Sequence, residues 1–196
     1  MTSDLPERRI VPTSDMLAAL AVPSRLAILS HLLTVGAQTA TQCAAAVGLT
    51  ASNCSWHLRE LAKFGLVERA DADAGDARKR PWQATITGID LDAGGGPGDD
   101  LARAAVRSAW FADTDARFAD FLRHESTLPA AWREAAVISD YAVLVTADEL
   151  ATIGARIDEV IRPYIRATRS PAPADGAVAS VSIRGVVDPR FLGGST

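Results

Sequence analysis

The feature that most constrains this chain is a pair of short helical stretches that meet at a glycine within residues 39–67, TATQCAAAVGLTASNCSWHLRELAKFGLV. The first predicted helix covers residues 39–47. Gly48 then suits the left-handed backbone conformation that commonly ends a helix. Thr50 is a suitable N-cap for the second predicted helix, residues 51–64. Two helices joined by so short a turn must pack directly against each other.

The second helix has an inward and an outward face at 3.6 residues per turn. Cys54, Leu58 and Leu61 share the inward face. The outward face is short, polar and cationic with one large aromatic: Ser52, Ser55, Trp56, Arg59 and Lys63. Small donors near the helix start can approach base edges, and cations further along can bind phosphates. This layout predicts a DNA-reading helix-turn-helix; the alternative is an ordinary helical hairpin with a solvated face.

A β-hairpin is predicted directly behind the second helix. Residues 66–70 and 81–89 have strand character, and residues 71–77 between them are rich in the Asp, Ala and Gly of a hairpin tip. Arg78, Lys79 and Arg80 form the densest cationic cluster in the chain. On such a wing they are expected to hold phosphates or enter the minor groove, although a plain solvated charge run is the alternative.

These stretches resemble the winged-helix repressors of the ArsR type over residues 14–90. One part of the family pattern is matched by Pro23, Arg25, Ile28 and Leu29, and the other by Ser55, His57, Leu58, Leu61, Gly65, Leu66 and Val67. The resemblance implies a DNA-facing segment that contains Ser52, Ser55, Trp56, His57 and Arg59. Trp56 departs from the polar residue usual there, and would either press on a thymine methyl or sugar or cover the wing. The full predicted contact set is Ser52, Asn53, Ser55, Trp56, His57, Arg59, Lys63, Arg78, Lys79 and Arg80.

Charge gives little general attraction for a polyanion. The formal net charge is −4. Residues 1–90 hold 9 Lys+Arg and 9 Asp+Glu, net 0, and residues 91–196 hold 11 and 15, net −4. DNA binding must therefore rest on local clusters. No apolar run approaches the roughly 20 residues of a membrane span, and the charged N-terminus lacks the apolar core of a secretory signal, so a cytoplasmic protein is expected.

Two cysteines, Cys43 and Cys54, are predicted to face each other across the two helices. Metal-sensing members of the ArsR type often carry a Cys-x-Cys pair on the first helix of the motif, whereas here that helix offers only Cys43. A lone thiol is a poor metal site, so small buried hydrophobes are favoured. A redox-sensitive or thiophilic-metal site using both thiols is the alternative. Asp113, Asp115, Asp120 and His124 are scattered around a later helix and predict a solvated acidic face rather than a zinc site.

The remainder of the chain predicts a linker at residues 91–100 and then a long helix, 101–123, capped by Asp99 or Asp100. This helix is apolar on more than one side, so it is our first choice for a two-fold interface, consistent with dimerisation in the family. Strands are expected at 135–139 and 141–146, paired about Asp140, and at 179–187. An amphipathic helix after Thr146 and Glu149 separates them. Five aromatic residues are either core or the lining of an effector pocket: Trp110, Phe118, Phe121, Trp132 and Tyr141.

The predicted fold is therefore α+β and mainly helical: a winged helix-turn-helix domain (13–90), a linker (91–100), and a dimerisation or effector-binding region (101–196) made of a long helix and a small α+β part. The predicted function is a cytoplasmic homodimeric transcriptional regulator, expected to be a repressor, that binds a palindromic duplex operator. Residues 101–196 are a candidate region for sensing a small-molecule effector, and the sequence leaves open whether there is one. No catalytic set, metal motif or cofactor motif is recognisable. A winged helix that binds a protein partner is the remaining alternative.

Overall fold

The computed structural model describes residues 9–70, 80–91, 96 and 98–191. The fold is α+β and mainly helical, as predicted: seven α-helices, four short strands and several single 3₁₀ turns are found in these ranges. Among the described helices, none is by itself long and apolar enough to cross a membrane; only α1 and α2, bent by 92° where they meet, would reach that length together.

Two helices precede the central motif. Helix α1, Ser14–Leu20, begins behind Thr13, whose hydroxyl accepts from the Met16 amide. Helix α2, Pro23–Val35, has Pro23 in its first turn, where the fixed φ fits and no amide donor is lost. Gly36 ends α2 with a φ of 89°.

The two helices of the motif form as the sequence predicts. Helix α3, Ala40–Val47, begins with a reciprocal capping box between Thr39 and Gln42. Gly48 follows in the left-handed conformation, with φ 69° and ψ 33°. Helix α4, Ala51–Lys63, is capped by the Thr50 hydroxyl, which accepts from the Asn53 amide at 3.2 Å. Gly65, also at positive φ, starts the turn into the wing.

Replacing Gly48 by Ala is expected to lower the free energy of unfolding by about 1–2 kcal/mol, because an L-residue is strained in the left-handed region. No heavy atom lies within 4 Å of the position that the new Cβ would take, so the cost is conformational and not steric. The matched control is Gly154→Ala, inside the helix Ala147–Ile161, where the new Cβ also meets open space. It should raise the same quantity by about 0.5–1 kcal/mol. Urea denaturation of both variants measures the difference, and equal effects would contradict this account of the turn.

The wing is a two-stranded antiparallel ribbon. Strand β2, Val67–Arg69, pairs with β3, Trp82–Ala84, and Gln38 adds a bridge to Trp82 on its other side. The predicted hairpin tip, residues 71–77, lies outside the described residues. A second ribbon involves the first described residues: β1, Arg9–Ile10, pairs in parallel with β4, Gly88–Ile89. This pairing attaches residues 9–10 to the segment that follows the second strand of the wing.

One apolar cluster joins α1, α2, α3, α4, the wing and the fifth helix. Its members are 6% exposed or less: Leu17, Leu20, Leu26, Ile28, Leu29, Leu32, Cys43, Ala44, Cys54, Leu58, Leu61, Leu66, Val67, Trp82, Ile86 and Val106. The inward face predicted for α4 is confirmed, because Cys54, Leu58 and Leu61 are fully buried. The recognition-helix candidate is therefore fixed by its apolar side, and its polar side is presented outward.

Helix α5, Asp100–His124, packs on this core. Val106 is fully buried, and Asp113 accepts from the Ser30 hydroxyl of α2 at 2.6 Å while also pairing with Arg117. Asp99 holds the N-cap position but makes no capping bond. Its carboxylate instead accepts from the Ser14 hydroxyl and the Gly96 amide, both at 2.8 Å.

The C-terminal part holds two further helices, α6, Ala130–Glu134, and α7, Ala147–Ile161. The Thr146–Glu149 capping box predicted for α7 is confirmed. The predicted strands at 135–139, 141–146 and 179–187 were wrong for the single chain. Residues 136–146 run without a bend at Asp140, and neither they nor residues 176–188 form a ladder with any described residue. The alternating pattern indicates an extended backbone, but a strand also needs a hydrogen-bonding neighbour.

Candidate nucleic-acid interface

The outward face of α4 is open to solvent along its length. Ser52, Asn53, Arg59 and Lys63 are exposed, and Ser55 is half-buried. The capping bond from Thr50 fixes the first turn, so the side chains of Ser52 and Asn53 start from a rigid backbone. Small polar groups at the beginning of a helix and cations nearer its end match the arrangement needed to approach base edges and phosphates.

His57 lies inside the domain and not with the other predicted contacts. It is only 6% exposed, and its Nδ1 has no hydrogen-bond partner among the described residues. Burial lowers the pKa of His57, and the neighbouring Arg25 charge lowers it further, while Glu60 opposes both. The ring is therefore neutral at pH 7, packed edge-on against Trp56 with ring centroids 4.8 Å apart.

Trp56 is positioned by Arg25 from α2. The Arg25 guanidinium lies 5.3 Å from the centre of the indole ring, and Trp56 remains 46% exposed. Arg25 also approaches Glu60 at 4.0 Å, and Glu60 pairs with Lys63 at 2.6 Å. Sequence reasoning gave Arg25 no role at the site, although the family pattern singled it out. The structure shows that it supports α4 from behind and leaves one side of the indole available.

The wing places further cations beside α4. The Arg69 guanidinium donates to the Arg80 carbonyl and lies 4.1 Å over the Trp82 ring. Burial lowers the pKa of Arg69, and the charges of Arg59 and Arg80 add to this shift. Arg59 of α4 and Arg80 are thus close enough to Arg69 for their charges to act on it, which brings cations of α4 and of the wing to the same side of the domain.

Two of the three predicted wing cations, Arg78 and Lys79, lie outside the described residues. Arg80 is half-buried at the base of the wing. Arg69 was missed by sequence reasoning because it stands alone in a strand between Glu68 and Ala70. The signal that identifies Arg69 is the pairing register of the wing, in which Arg69 lies opposite Trp82. The neighbouring Glu68 lies opposite Gln83 and accepts from the Gln83 side-chain amide at 2.9 Å.

Cys43 and Cys54 meet in the core between α3 and α4. Both are free thiols with no exposed surface. Burial raises the pKa of Cys43 to about 12 and also raises the pKa of Cys54. Because the thiolate is the reactive and metal-binding form, this environment favours the packing interpretation over the redox or thiophilic-metal alternative.

We expect the two buried thiols to lower the free energy of unfolding at alkaline pH. The unfolded chain releases their protons near the ordinary thiol pKa of 9.0, whereas the folded protein keeps them. The free energy of unfolding should therefore be unaffected by the thiols below pH 9 and decrease as the pH rises from 9 to about 12 for Cys43, by about 1.4 kcal/mol per pH unit for each thiol. Urea denaturation of the wild type and a Cys43→Ala, Cys54→Ala control measures it. Parallel slopes would contradict this origin.

The acidic residues of α5 are used in separate ion pairs. Asp113 pairs with Arg117, Asp115 with Arg184, and Asp120 with Arg123 at 3.0 Å. Within the described ranges, no group of three or more His, Cys, Asp or Glu side chains is arranged to hold a metal ion. His124 lies 3.4 Å from Asp120.

A cavity of about 430 Å³ lies between the end of α2, the stretch that follows β3, and residues 166–168. Leu33, Thr85, Thr87 and Arg166 are among its lining residues. None of the five aromatic residues predicted as an effector lining contributes to it. Trp110 packs on the core, Phe118 stacks with Phe121 at 6.4 Å, and Trp132 and Tyr141 are exposed.

Comparison with known proteins supports the central motif. Residues 20–70 match a family model described as a helix-turn-helix domain. No curated protein matches the chain. A solved structure described as a MarR family transcription regulator is 21% identical, covers 80% of this chain and 85% of its own, and superposes with a TM-score of 0.31. That superposition is too loose to inform on partners or assembly. The helix-turn-helix match supports a DNA-binding transcriptional regulator.

Proposed function

We propose that this protein is a homodimeric, sequence-specific transcriptional repressor that reads a palindromic operator with α4 and holds the flanking phosphates with its wing. One observation carries the proposal: the exposed polar face of α4 lies beside the wing, and Arg59 and Arg80 are near enough to Arg69 to lower its pKa. Such a cluster has an electrostatic cost in the free protein that phosphates would relieve.

Within this interface the contacts divide by role. Ser52, Asn53 and Ser55 start α4 and are proposed to approach base edges. Arg59, Lys63 and the wing residues Arg78, Lys79 and Arg80 are proposed to bind phosphates, and we add Arg69 to this group. Trp56 is proposed to contact a thymine methyl or a sugar with its exposed side. His57 is removed from the proposed contact set because its ring is buried.

The dimer and the sensing region are also proposals. The far end of α5 exposes Phe118 at 46% and Leu122 at 51%, which suits a two-fold contact and would set two recognition helices one turn of duplex apart. Kinship with the ArsR type, a non-catalytic role and a cytoplasmic site of action belong to the same proposal. The cavity beside Arg166 is where the C-terminal region meets the domain that carries the motif, so we propose effector sensing there.

A gel shift with DNA from upstream of the protein's own gene tests the DNA-binding function. The wild type should retard it at low salt, and Arg59→Ala should weaken binding about 10-fold or more, the value of one good charged contact. Arg156→Ala in α7, an equal change of charge outside the interface, should leave binding unaltered. Absence of any shift by the wild type would instead favour a winged helix that binds a protein partner.

A further inference from the structure

The C-terminal half leaves much of its apolar surface uncovered. Helix α7 has the pattern of an amphipathic helix, yet it buries no residue completely. Two segments without helix, strand, turn or bend precede and follow it in the chain, and we name them the arm (residues 137–145) and the anchored segment (residues 177–187). Neither segment forms a backbone hydrogen bond with any described residue. Each therefore presents a full set of unpaired amides and carbonyls, as an edge strand does.

The arm is the more exposed of the two. Its large apolar side chains have relative exposures between 58% and 103%: Val137, Ile138, Tyr141, Val143 and Leu144. Four of these five are β-branched or aromatic and favour a pleated, half-buried environment. Exposing these apolar side chains to water is unfavourable. The composition of the segment therefore indicates that it packs against a partner that the single chain does not provide.

The anchored segment is held in place on one side only. Arg184 lies 4.4 Å over the Phe111 ring and donates to Thr114 at 3.1 Å, and it also pairs with Asp115. At Gly185 the backbone is so close to α7 that a Cβ would lie 3.1 Å from a methyl of Leu150. The segment thus touches both α5 and α7. Its apolar side chains nevertheless remain at least half exposed: Val178, Val181, Ile183, Val186 and Val187.

The exposed area matches what a stable dimer buries. If a fully exposed side chain of this kind presents roughly 100 Å², the large apolar side chains of the two segments together expose on the order of 700 Å². The largest apolar patch on a typical monomer is about 300–600 Å², and a standard interface buries about 800 Å² on each partner. The anchored segment meets α5 through Arg184 and Phe111. At the helical period, Phe111 lies on the same face of α5 as Phe118 and Leu122, already proposed as a two-fold contact.

We propose that the occupant is a second copy of this chain: the arm of each copy pairs with the anchored segment of the other, forming an intermolecular β-sheet covered by α5 and α7. This inference rests on the homodimer of the proposed function and names the segments that hold it. Two-fold symmetry makes the exchange reciprocal, so both arms and both anchored segments are satisfied at once. The strands expected from the alternating sequence would then exist in the dimer.

Sedimentation equilibrium of the full chain tests the exchange. The wild type should be a dimer, and Leu144→Asp should raise its dissociation constant at least about 30-fold, the effect of one central interface residue. Leu144 is 103% exposed in the single chain, so this change should leave the fold of a monomer unaltered, as far-UV circular dichroism would show. Val35→Asp, on the half-exposed end of α2, is the control and should leave dimerisation unchanged.

Cross-linking identifies the partner segment. Tagged Val143→Cys chains mixed with untagged Val181→Cys chains should join through a short bismaleimide, and the native thiols should not react because both are buried. A double variant, Val143→Cys with Val181→Cys in one chain, tests cross-linking within a chain. The exchange would be overturned by a monomeric wild type, by a dimer whose dissociation constant Leu144→Asp does not change, or by cross-links that form only within the double variant. Wild-type DNA binding is measured separately: its absence would defeat the proposed function and leave the sedimentation result standing.

Discussion

Replacing Arg78, Lys79 and Arg80 together by Ala is expected to weaken binding to every DNA sequence by about 100-fold near physiological salt. Three lost phosphate contacts should also reduce the slope of log K against log salt by about 2.7. The reason is counterion release: each cation that neutralises a phosphate frees about one condensed ion, whatever the base sequence. Fluorescence anisotropy with operator and unrelated duplexes, measured over a salt series, gives both quantities.

The control for the wing variant is a triple change of equal charge in the C-terminal region, at Arg123, Arg156 and Arg169. It should leave the salt slope unchanged, because these groups lie on α5, on α7 and beyond α7, outside the cluster formed by Arg59, Arg69 and Arg80. If both triple variants lost the same affinity and slope, net charge and not the wing would govern binding.

Replacing Leu58 by Ala is expected to lower the free energy of unfolding by about 2–5 kcal/mol. Leu58 has no exposed surface and lies in the cluster that joins α4 to α2, α3 and the wing. Removing it leaves a cavity directly beneath the outward face of the helix. Because a domain is stable by only about 5–15 kcal/mol, this single change removes a large part of the total. Urea denaturation followed by circular dichroism measures it.

Leu101→Ala is the matched control for the core variant. Leu101 is 82% exposed at the start of α5, so the same chemical change should cost less than about 0.5 kcal/mol. Equal losses in the two variants would show that α4 is not supported by the packing described here.

The sequence predicted the helix-turn-helix closely because its determinants are local. A capping residue, a glycine at positive φ and a helical period each act within one or two turns, so Thr50 and Gly48 could be interpreted without knowing their neighbours. The same holds for the inward face of α4 and for the Thr146–Glu149 capping box. Periodicity alone, however, could not place His57, which stands at the boundary between the two faces and is drawn inward.

The misinterpreted parts depend on contacts between distant residues. Nothing local to Arg9 indicates that it pairs with Gly88, and nothing local to Arg69 indicates that it lies near Arg59. Likewise, Asp99 or Asp100 was expected to cap α5. Asp99 holds the N-cap position, but its carboxylate accepts from the Ser14 hydroxyl, 85 residues away, and makes no capping bond. The alternating segments near the C-terminus were interpreted as paired strands, although pairing requires a neighbour that the described single chain lacks.

Selection of bound duplexes from a random DNA pool by the full-length wild type tests the central claim most directly. The proposed dimer should enrich a palindrome whose half-sites are about 10–10.5 base pairs apart, the spacing at which two recognition helices reach successive major grooves. The same selection with Arg59→Ala should give weaker enrichment. A pool that stays random at low salt, with the wild type folded and dimeric, would contradict the assignment of α4 as a reader of DNA.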